Sequence, residues 1–516
     1  MRNPVLFVWL IIVIVLLLLM HWRFVNMEQL YDDRGLPGYC GAKPRGAEGV
    51  LQRAQPGMVL QAVVLTIRHG DRSAIHALPN TNSTPTWTCR PAGHEQRRAA
   101  QSVRVVGLDG RELDRSLLPK TQDSHGLDVL REGHCAPGQL TPRGFAQHVA
   151  LGRHLGHAFA PLLRAVGIDH RSNLSHPKVY VRSTDYTRTQ MSAAALLFGM
   201  LPAPLRPPLA LPTKIVTRAD EENEVMHGVG LTSSSKIGGQ DGGGERVRLG
   251  RCARAAELTR AQLAAWHDEK EARDSLVELF GAEVRGVAST AVADALYAQA
   301  CHKMRPPCAA KLDAGGGRDA GKARAGGCVP PALAQAFFRM GDDSYCAKYN
   351  GLLGGLQASQ LAMQPLLLEI ISRLKAAQAQ AGTAERLVVL SGHDTVVAQL
   401  LAALGGMADA HHCRWPPYAS RLVFELWRPT PPAPKRAPSI RVLFNGAVVT
   451  HLLPGCVARA GVEPTDEHEH LAAYAGALEL CPFDVFVQAV VARVPPGSTF
   501  EAQCASQGPE GGGVAR

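Results

Sequence analysis

Residues 59–72 read VLQAVVLTIRHGDR, and this stretch decides the fold and the chemistry that we expect of the chain. Residues 59–67 form an almost unbroken apolar run, which is typical of a strand buried on both faces of a parallel sheet. The run then breaks into Arg68, His69 and Arg72. Ligands bind at the carboxyl ends of the strands in open α/β sheets, and arginine offers paired donors to phosphate or carboxylate. The stretch predicts a strand ending in an anion site, with a solvated basic loop as the alternative.

Two later segments repeat the pattern of an apolar strand that ends in polar residues at the start of a helix. The first, predicted at 178–181, ends at Arg182, and the second, predicted at 386–391, ends at His393 and Asp394. Because parallel strands bring these ends to one edge of the sheet, we expect them to converge with residues 68–72. Helix N-termini there add backbone donors and a partial positive charge, which suits a phosphate.

The composition of this edge predicts phosphoryl transfer without a metal. Three arginines and two histidines accompany a single acidic residue. Metal chemistry would need more carboxylates, or His and Cys ligands at close spacing. We therefore expect no metal and no other cofactor.

The order of the elements predicts an α/β fold with a mostly parallel sheet flanked by helices. Between about 213 and 385, helical stretches alternate with glycine-rich loops, which indicates a mainly helical cap inserted beside the sheet. A chain of 516 residues exceeds the ~250–300 at which single cores stop growing, so one large or two unequal domains are expected. We place the domain at 57–505, a stem at 22–56 and a disordered tail at 506–516.

An apolar segment near the N-terminus predicts a membrane anchor. Residues 4–20 carry no charge, and their length is at the short end of a helix that spans a membrane core of ~30 Å. A cleaved signal peptide is the alternative, but no pair of small residues follows the segment, and Trp22 suits a membrane interface. We therefore predict an uncleaved signal-anchor with residues 1–3 in the cytoplasm.

The cysteines and charge indicate the compartment and the partners. All 12 cysteines follow the anchor segment, which favours disulfides in the lumen of the secretory pathway over free thiols in the cytosol. Asn82 and Asn173 begin glycosylation sequences, which agrees with a lumenal location. The net charge of +10 favours anionic partners. The absence of a Lys/Arg run or an aromatic-studded basic stretch argues against nucleic acid.

Three motifs carry a resemblance to a known family. The segments RHGDR (68–72), RSTDYTRT (182–189) and His393-Asp394 occur in the order found in the histidine acid phosphatase family, each between a strand and a helix. The resemblance covers roughly residues 57–505 and implies a phosphoglycerate-mutase-like fold. It implies that His69 attacks phosphorus to form a phosphohistidine and that Asp394 protonates the leaving oxygen. The residues that it implies for phosphate binding are Arg68, Arg72, Arg182 and His393.

The resemblance also bears on residues beside this set. Asp71 is expected to shape the loop as a hydrogen-bond acceptor. Arg188 is expected to be structural, beyond the pocket on the following helix, with a supporting role left open. Resemblance to family bridges implies two disulfides, Cys456–Cys481 and Cys252–Cys504.

Within the family, the chain most resembles a membrane-anchored, lumenal branch, through segments such as 421–427 and 441–446. This resemblance implies a single-pass type II protein of the Golgi membrane with its catalytic domain in the lumen. The implied partner is the phosphorylated glycan linker of proteoglycans, with the 2-O-phosphate of xylose as substrate. Two alternatives stay open: a phosphomonoesterase of the same fold that acts on nucleotides, lipids or inositol phosphates, and an inactive anion-binding protein.

Overall fold

A computed structural model describes residues 38–51, 57–81, 87, 89, 99, 103–111, 135–168, 178–200, 213–217, 226, 231–232, 246–247, 252–267, 269–310, 327–379, 382, 384–430, 437–453, 455–456, 479–493 and 499–505. The anchor at 4–20, the glycosylation sites Asn82 and Asn173, and the tail at 506–516 lie outside the described residues. Within these ranges, no helix is both long enough and apolar enough to cross a membrane.

A mixed sheet lies at the centre of the fold. In chain order the strands are β1 (Met58–Arg68), β2 (Val103–Val106), β3 (Val179–Ser183), β4 (Thr213–Thr217), β5 (Leu231–Thr232), β6 (Arg246–Val247), β7 (Leu387–Gly392), β8 (Arg421–Pro429), β9 (Ser439–Phe444), β10 (Ala447–Val448) and β11 (Cys481–Pro482). Strands β5 and β6 pair with each other. In the described part of the chain the others form one nine-stranded sheet in the order β10-β9-β8-β1-β7-β3-β4-β2, with β11 beside β9.

The two halves of the sheet run in different senses. Neighbouring strands are parallel from β1 through β7, β3 and β4 to β2. On the other side of β1, strands β8, β9, β10 and β11 pair antiparallel. Arg68 is in register with Gly392, and Ser183 is in register with Ser391, so three strands end together at one edge. This arrangement confirms the predicted α/β fold.

Helices cover both faces of the sheet. They are α1 (Pro142–Ala158), α2 (Ala160–Ala165), α3 (Thr187–Met200), α4 (Ala253–Ala264), α5 (Lys270–Phe280), α6 (Ser289–Cys301), α7 (Pro331–Asn350), α8 (Gly355–Gln378), α9 (Asp394–Ala403), α10 (Phe483–Val491) and α11 (Phe500–Cys504). Residues 63, 65 and 67 of β1 pack with α1, α2 and α3, whereas residues 62 and 64 belong to the core shared with α8 and α9. Side chains alternate between the two faces of a strand, so an unbroken apolar run is what a strand covered on both sides requires.

The cap is mainly helical in its described part, where α4 to α8 follow one another between residues 253 and 378. The start of α1 is capped, since the Thr141 side chain accepts a hydrogen bond from the Gly144 amide at 3.1 Å and Pro142 occupies the first turn.

The segment at residues 38–51 belongs to the folded domain, so the predicted stem at 22–56 extends too far. Glu48 forms an ion pair with Arg421 at 2.6 Å, and both side chains are fully buried. The Arg441 guanidinium donates to the carbonyl of Ala47 at 2.9 Å. An ion pair and a hydrogen bond to β8 and β9 hold this segment in place, and hydrophobic periodicity in the sequence does not predict such contacts.

All 12 cysteines of the chain are disulfide-bonded. The two pairs implied by the family resemblance, Cys252–Cys504 and Cys456–Cys481, are both present. The other four bridges are Cys40–Cys301, Cys89–Cys135, Cys308–Cys328 and Cys346–Cys413.

Candidate active site

The three strand ends bring titratable side chains into contact. The rings of His69 and His393 lie 5.7 Å apart between centroids. Arg68, the last residue of β1, forms an ion pair with Asp394, the first residue of α9, with 2.8 Å between Nη2 and Oδ2. All four side chains are buried. The predicted convergence of residues 68–72 with His393 and Asp394 is therefore present in the structure.

His69 is held as a neutral imidazole with its Nε2 lone pair available. Its Nδ1 lies 2.8 Å from the carbonyl oxygen of Gly70. Because a carbonyl oxygen can only accept, Nδ1 carries the proton and Nε2 carries the lone pair. Burial, together with the charges of Arg188, Arg68 and Arg72, holds the pKa of His69 well below its usual value. A lone pair that stays free under these conditions is the requirement for a histidine nucleophile.

The loop after His69 is fixed by close backbone contacts. A Cβ atom on Gly70 would lie 2.3 Å from the carbonyl oxygen of Gly144, so α1 and the loop approach each other as closely as glycine permits. The Asp71 carboxylate accepts hydrogen bonds from the Thr141 hydroxyl at 2.5 Å and from His302 Nε2 at 2.6 Å. Asp71 therefore shapes the loop, as predicted.

Arg68 is oriented by contacts on every side. Its Nη2 group donates to the Tyr39 hydroxyl at 2.5 Å and forms the ion pair with Asp394, and its Nη1 group donates to the carbonyl of Pro416. The rings of Tyr39 and Tyr418 lie 4.7 Å and 4.4 Å from its guanidinium carbon. Burial lowers the pKa of Arg68, but Asp394 and the two tyrosines outweigh it and the net shift is upward.

Arg72 is held by a carboxylate from the cap. Its Nη2 and Nη1 groups donate to the two oxygens of Asp294 in α6 at 2.8 Å and 3.3 Å. Asp294 also accepts from the amide of Ile75 at 3.2 Å. Both members of the ion pair are buried, with 4% and 3% of their side chains exposed. A two-point clamp of this kind fixes the plane of the guanidinium.

The two remaining arginines of the second motif lie in different surroundings. Arg182, predicted to bind phosphate, donates from Nη1 to both oxygens of Glu369 in α8, at 3.2 Å and 2.9 Å. Arg188 in α3 instead lies with its Nη2 3.4 Å from His393 Nδ1, and it contributes to the lowered pKa of His69. The structure therefore brings Arg188 to the two histidines, whereas Arg182, the arginine predicted to bind phosphate, points toward α8.

His393 and Asp394 occupy the start of α9. His393 Nε2 lies 3.1 Å from the Thr184 hydroxyl. Asp394 accepts from Trp415 Nε1 at 3.0 Å and from the Thr395 amide at 2.9 Å. Burial alone raises the pKa of Asp394. Arg68, the Trp415 hydrogen bond and other nearby arginines lower it by more than burial raises it, so the net shift is downward. The carboxyl group is therefore ionised while the surrounding positive charge is not neutralised.

Sequence reasoning missed three contributors to the site. Tyr39 stands in the segment predicted as stem, and Asp294 lies in a helix that was read as part of the cap. Trp415 donates to the carboxylate of Asp394 at 3.0 Å. Neither Tyr39 nor Asp294 carries a local signal, because each acts on an arginine distant in the sequence.

A histidine with an available Nε2 lone pair, surrounded by arginines and accompanied by a buried carboxyl group, is typical of enzymes that transfer phosphoryl groups through a histidine nucleophile. Comparison with protein families agrees with this class. The chain belongs to the histidine phosphatase superfamily (branch 2), whose family profile matches residues 59–241 and 343–445. It is a phosphomonoesterase of the histidine acid phosphatase type.

Several curated proteins are similar along most of the chain. 2-Phosphoxylose phosphatase 1 of Danio rerio is 26% identical over 432 residues, which cover 80% of this chain and 77% of the relative. Counting factor 60 of Dictyostelium discoideum is 23% identical over 433 residues, covering 81% of this chain and 86% of the relative. Lysosomal acid phosphatase of Homo sapiens is 26% identical over 347 residues, covering 64% and 68%.

Similar solved structures include a phytase and a multiple inositol polyphosphate phosphatase. The phytase of Citrobacter braakii has a TM-score of 0.40 and 16% identity, covering 75% of this chain and 85% of that chain. A multiple inositol polyphosphate phosphatase of Bifidobacterium longum, in complex with inositol hexasulfate, has a TM-score of 0.44 and 13% identity, covering 82% and 92%.

Proposed function

We propose that this phosphomonoesterase works in the secretory pathway, through a phosphohistidine at His69, and removes the 2-O-phosphate of xylose in the glycosaminoglycan–protein linkage region. The observation that carries the chemistry is the neutral, Nδ1-protonated His69 among three arginines. Support for the substrate comes from similar vertebrate proteins named 2-phosphoxylose phosphatase 1. Removal of this phosphate would promote elongation of the proteoglycan chain.

The first chemical step follows from the two faces of the site. His69 Nε2 donates its lone pair to phosphorus, a P–N bond forms, and the bond from phosphorus to the sugar oxygen breaks. Asp394 gives its proton to that oxygen, so the sugar leaves as an alcohol. In the second step water attacks the phosphohistidine, the P–N bond breaks, and the Asp394 carboxylate accepts the proton of the water.

The positive groups of the pocket suit the phosphoryl oxygens. Among the described residues, the Nε atoms of Arg68, Arg72 and Arg188 are buried without a hydrogen-bond partner. Buried donors of this kind carry a cost of about 1–3 kcal/mol each unless a ligand satisfies them, and a phosphate provides the acceptors. We assign phosphate binding to these three arginines with His393, because their charges are the ones that act on His69. We take Arg182, whose guanidinium faces Glu369, to stabilise α8.

The protonation of Asp394 depends on the substrate. In the free site the neighbouring arginines hold its pKa low. A phosphate dianion neutralises these arginines and adds negative charge beside the carboxylate, and both effects raise the pKa. Asp394 can then act as the acid, and we expect an acidic to neutral optimum. Activity that kept rising above pH 8 would contradict this role.

We further propose that the protein is a single-pass type II protein of the Golgi membrane with its catalytic domain in the lumen. Six disulfides in one domain are typical of an oxidising compartment, and the apolar segment at 4–20 supplies the predicted anchor. Protease treatment of intact Golgi vesicles tests this topology. The catalytic domain should resist digestion until detergent is added, and digestion without detergent would refute the proposal.

The substrate is tested with the detergent-solubilised full chain, its His69→Ala variant and a matched variant of an exposed histidine on α1, His157→Ala. Phosphate release is measured from a linker tetrasaccharide that contains 2-phosphoxylose and from a generic aryl phosphate. We expect faster release from the linker, lost in His69→Ala and kept in His157→Ala. Activity on the aryl ester alone would leave the chemistry and remove the proteoglycan substrate, and inactivity on both would favour the anion-binding alternative.

A further inference from the structure

A residue from outside the family-matched part of the chain reaches the active site. The family match begins at residue 59, yet Tyr39 lies buried against the arginine that precedes the nucleophile. Its hydroxyl lies 2.5 Å from Arg68 Nη2, and its ring lies 4.7 Å from the guanidinium carbon. Burial raises the pKa of Tyr39 to about 12, so the phenol stays neutral and its oxygen can accept the arginine proton.

This contact determines which donors Arg68 has left for a ligand. The Nη2 group donates a proton to the Tyr39 oxygen and forms an ion pair with Asp394 Oδ2 at 2.8 Å. The guanidinium plane is thereby fixed between three acceptors, the third being the carbonyl of Pro416. The buried Nε has no hydrogen-bond partner among the described residues and is left for a ligand.

Tyr39 is itself held by the helix that supports the other arginine. Its ring stacks on Tyr297 at 4.1 Å between centroids, and the next residue, Cys40, forms a disulfide with Cys301. Tyr297 and Cys301 both lie in α6, the helix that also provides Asp294. This helix falls between the two family-matched ranges. Both arginines of the RHGDR motif are thus supported by one disulfide-linked unit, formed by the N-terminal segment and α6.

We propose that Tyr39 is a positioning residue of the active site, which orients Arg68 for the phosphoryl group and is held in place by α6 through Tyr297 and the Cys40–Cys301 disulfide. The proposal rests on the phosphatase chemistry above but not on the choice of sugar substrate. A tyrosine that merely filled space would need its ring alone. The Tyr39 hydroxyl instead contacts the same Arg68 Nη2 group that forms the ion pair with Asp394, so it can orient the guanidinium.

The test is Tyr39→Phe in the full chain, which keeps the ring and removes the hydroxyl. The matched control is Tyr349→Phe, a fully buried tyrosine on the cap helix α7. The readouts are kcat and KM for an aryl phosphate and the inhibition constant of inorganic phosphate. Since a hydrogen bond to a charged group is lost, we expect Tyr39→Phe to weaken phosphate inhibition and lower kcat/KM by roughly 10-fold or more. The control should match the wild type in both.

The inhibition constant separates positioning from folding, because it does not depend on the fraction of protein that is folded. A folded Tyr39→Phe variant whose kcat/KM and phosphate inhibition constant equal those of the wild type would overturn the proposal. If that variant does not fold, Cys40→Ser with Cys301→Ser decides, with Cys308→Ser and Cys328→Ser as the control pair. Release of Tyr39 should raise the inhibition constant in the first pair alone, and an unchanged constant there would refute the proposal.

Failure of the proposed substrate gives a different result. Loss of linker activity with retained aryl phosphatase activity removes the xylose substrate and leaves the Tyr39 comparison intact. If the wild type hydrolyses neither ester, calorimetric titration of wild type and Tyr39→Phe with inorganic phosphate still measures the orientation of Arg68. Equal affinities in that titration would overturn the positioning role.

Discussion

Replacement of Arg188 by methionine should abolish most catalysis and stabilise the free enzyme. Burial, followed by the nearby charge of Arg72, lowers the pKa of Arg188 from its usual value to about 10. Since a tenfold change in proton affinity is worth ~1.4 kcal/mol, the charge costs the folded state ~3 kcal/mol. The folded pKa lies below the unfolded value, so this cost is present at every pH below about 10. The variant also loses the cation–π contact with Tyr186, whose ring lies 4.3 Å away, and this loss lowers the free energy of unfolding by ~0.5–2 kcal/mol.

The expected net effect of Arg188→Met is therefore a gain of about 1–2 kcal/mol in the free energy of unfolding at pH 7. The same arginine should matter most in the transition state, where it faces the phosphoryl oxygens beside His393. Removal of one preorganised electrostatic group of this kind costs about 10²–10³ in kcat. A site residue that destabilises the fold and accelerates the reaction is a common consequence of building an anion pocket from buried cations.

Arg182→Met is the matched comparison, because it makes the same substitution six residues earlier. Its ion pair with Glu369 is lost, so its free energy of unfolding should fall by about 1 kcal/mol, while kcat on an aryl phosphate should stay within about 10-fold. Urea unfolding and steady-state kinetics at pH 7 measure both quantities. A loss of 100-fold or more in Arg182→Met, with little change in Arg188→Met, would show that the assignment from side-chain direction is wrong.

Three further outcomes follow from the site and the cap. Asp394→Asn should lower kcat about 10²–10⁴-fold on a sugar phosphate and much less on an aryl phosphate, whose leaving group needs no proton. Equal losses on both substrates would contradict the role of Asp394 as the acid. Burial lowers the pKa of His148 to about 4, so the free energy of unfolding should fall by ~3 kcal/mol as the pH drops from 6.5 to 4. The free energy of unfolding of His148→Gln should fall by less over the same pH range. Burial raises the pKa of Asp342 to about 7, so the free energy of unfolding should fall as the pH rises from about 4 to 7. Asp342→Asn should therefore stabilise the protein more at pH 8 than at pH 4, by up to ~4 kcal/mol. Equal effects at the two pH values would refute the buried acid.

The parts of the fold that sequence could predict are those governed by short-range patterns. The apolar run at 59–67 requires cover on both faces, and the structure supplies it from α1 and α3 on one side and α8 and α9 on the other. Residues that end parallel strands must share an edge, so the meeting of His69, His393 and Asp394 follows from the strands alone.

The contacts that sequence could not predict join residues far apart in the chain. Asp294 lies 222 positions from Arg72, in a helix whose sequence gives no reason to prefer a buried carboxylate over a solvated one. Tyr39 lies in a glycine-rich segment with no periodicity, which is fixed by a disulfide to Cys301 across 261 positions. Tertiary contacts of this kind are set by how the cap docks on the sheet, and a local pattern has no access to that geometry.

The different surroundings of Arg182 and Arg188 have a local cause. Val181 packs toward α1 and α3 in the core, and successive strand side chains point to opposite faces, so Arg182 must point toward α8, where Glu369 lies. Arg188 stands in the first turn of α3, and helical side chains lean toward the N-terminus of their helix. Its guanidinium therefore reaches back over the edge at which β3 and β7 end, to His393. An arginine in the helix that follows a strand can serve that edge better than an arginine within the strand.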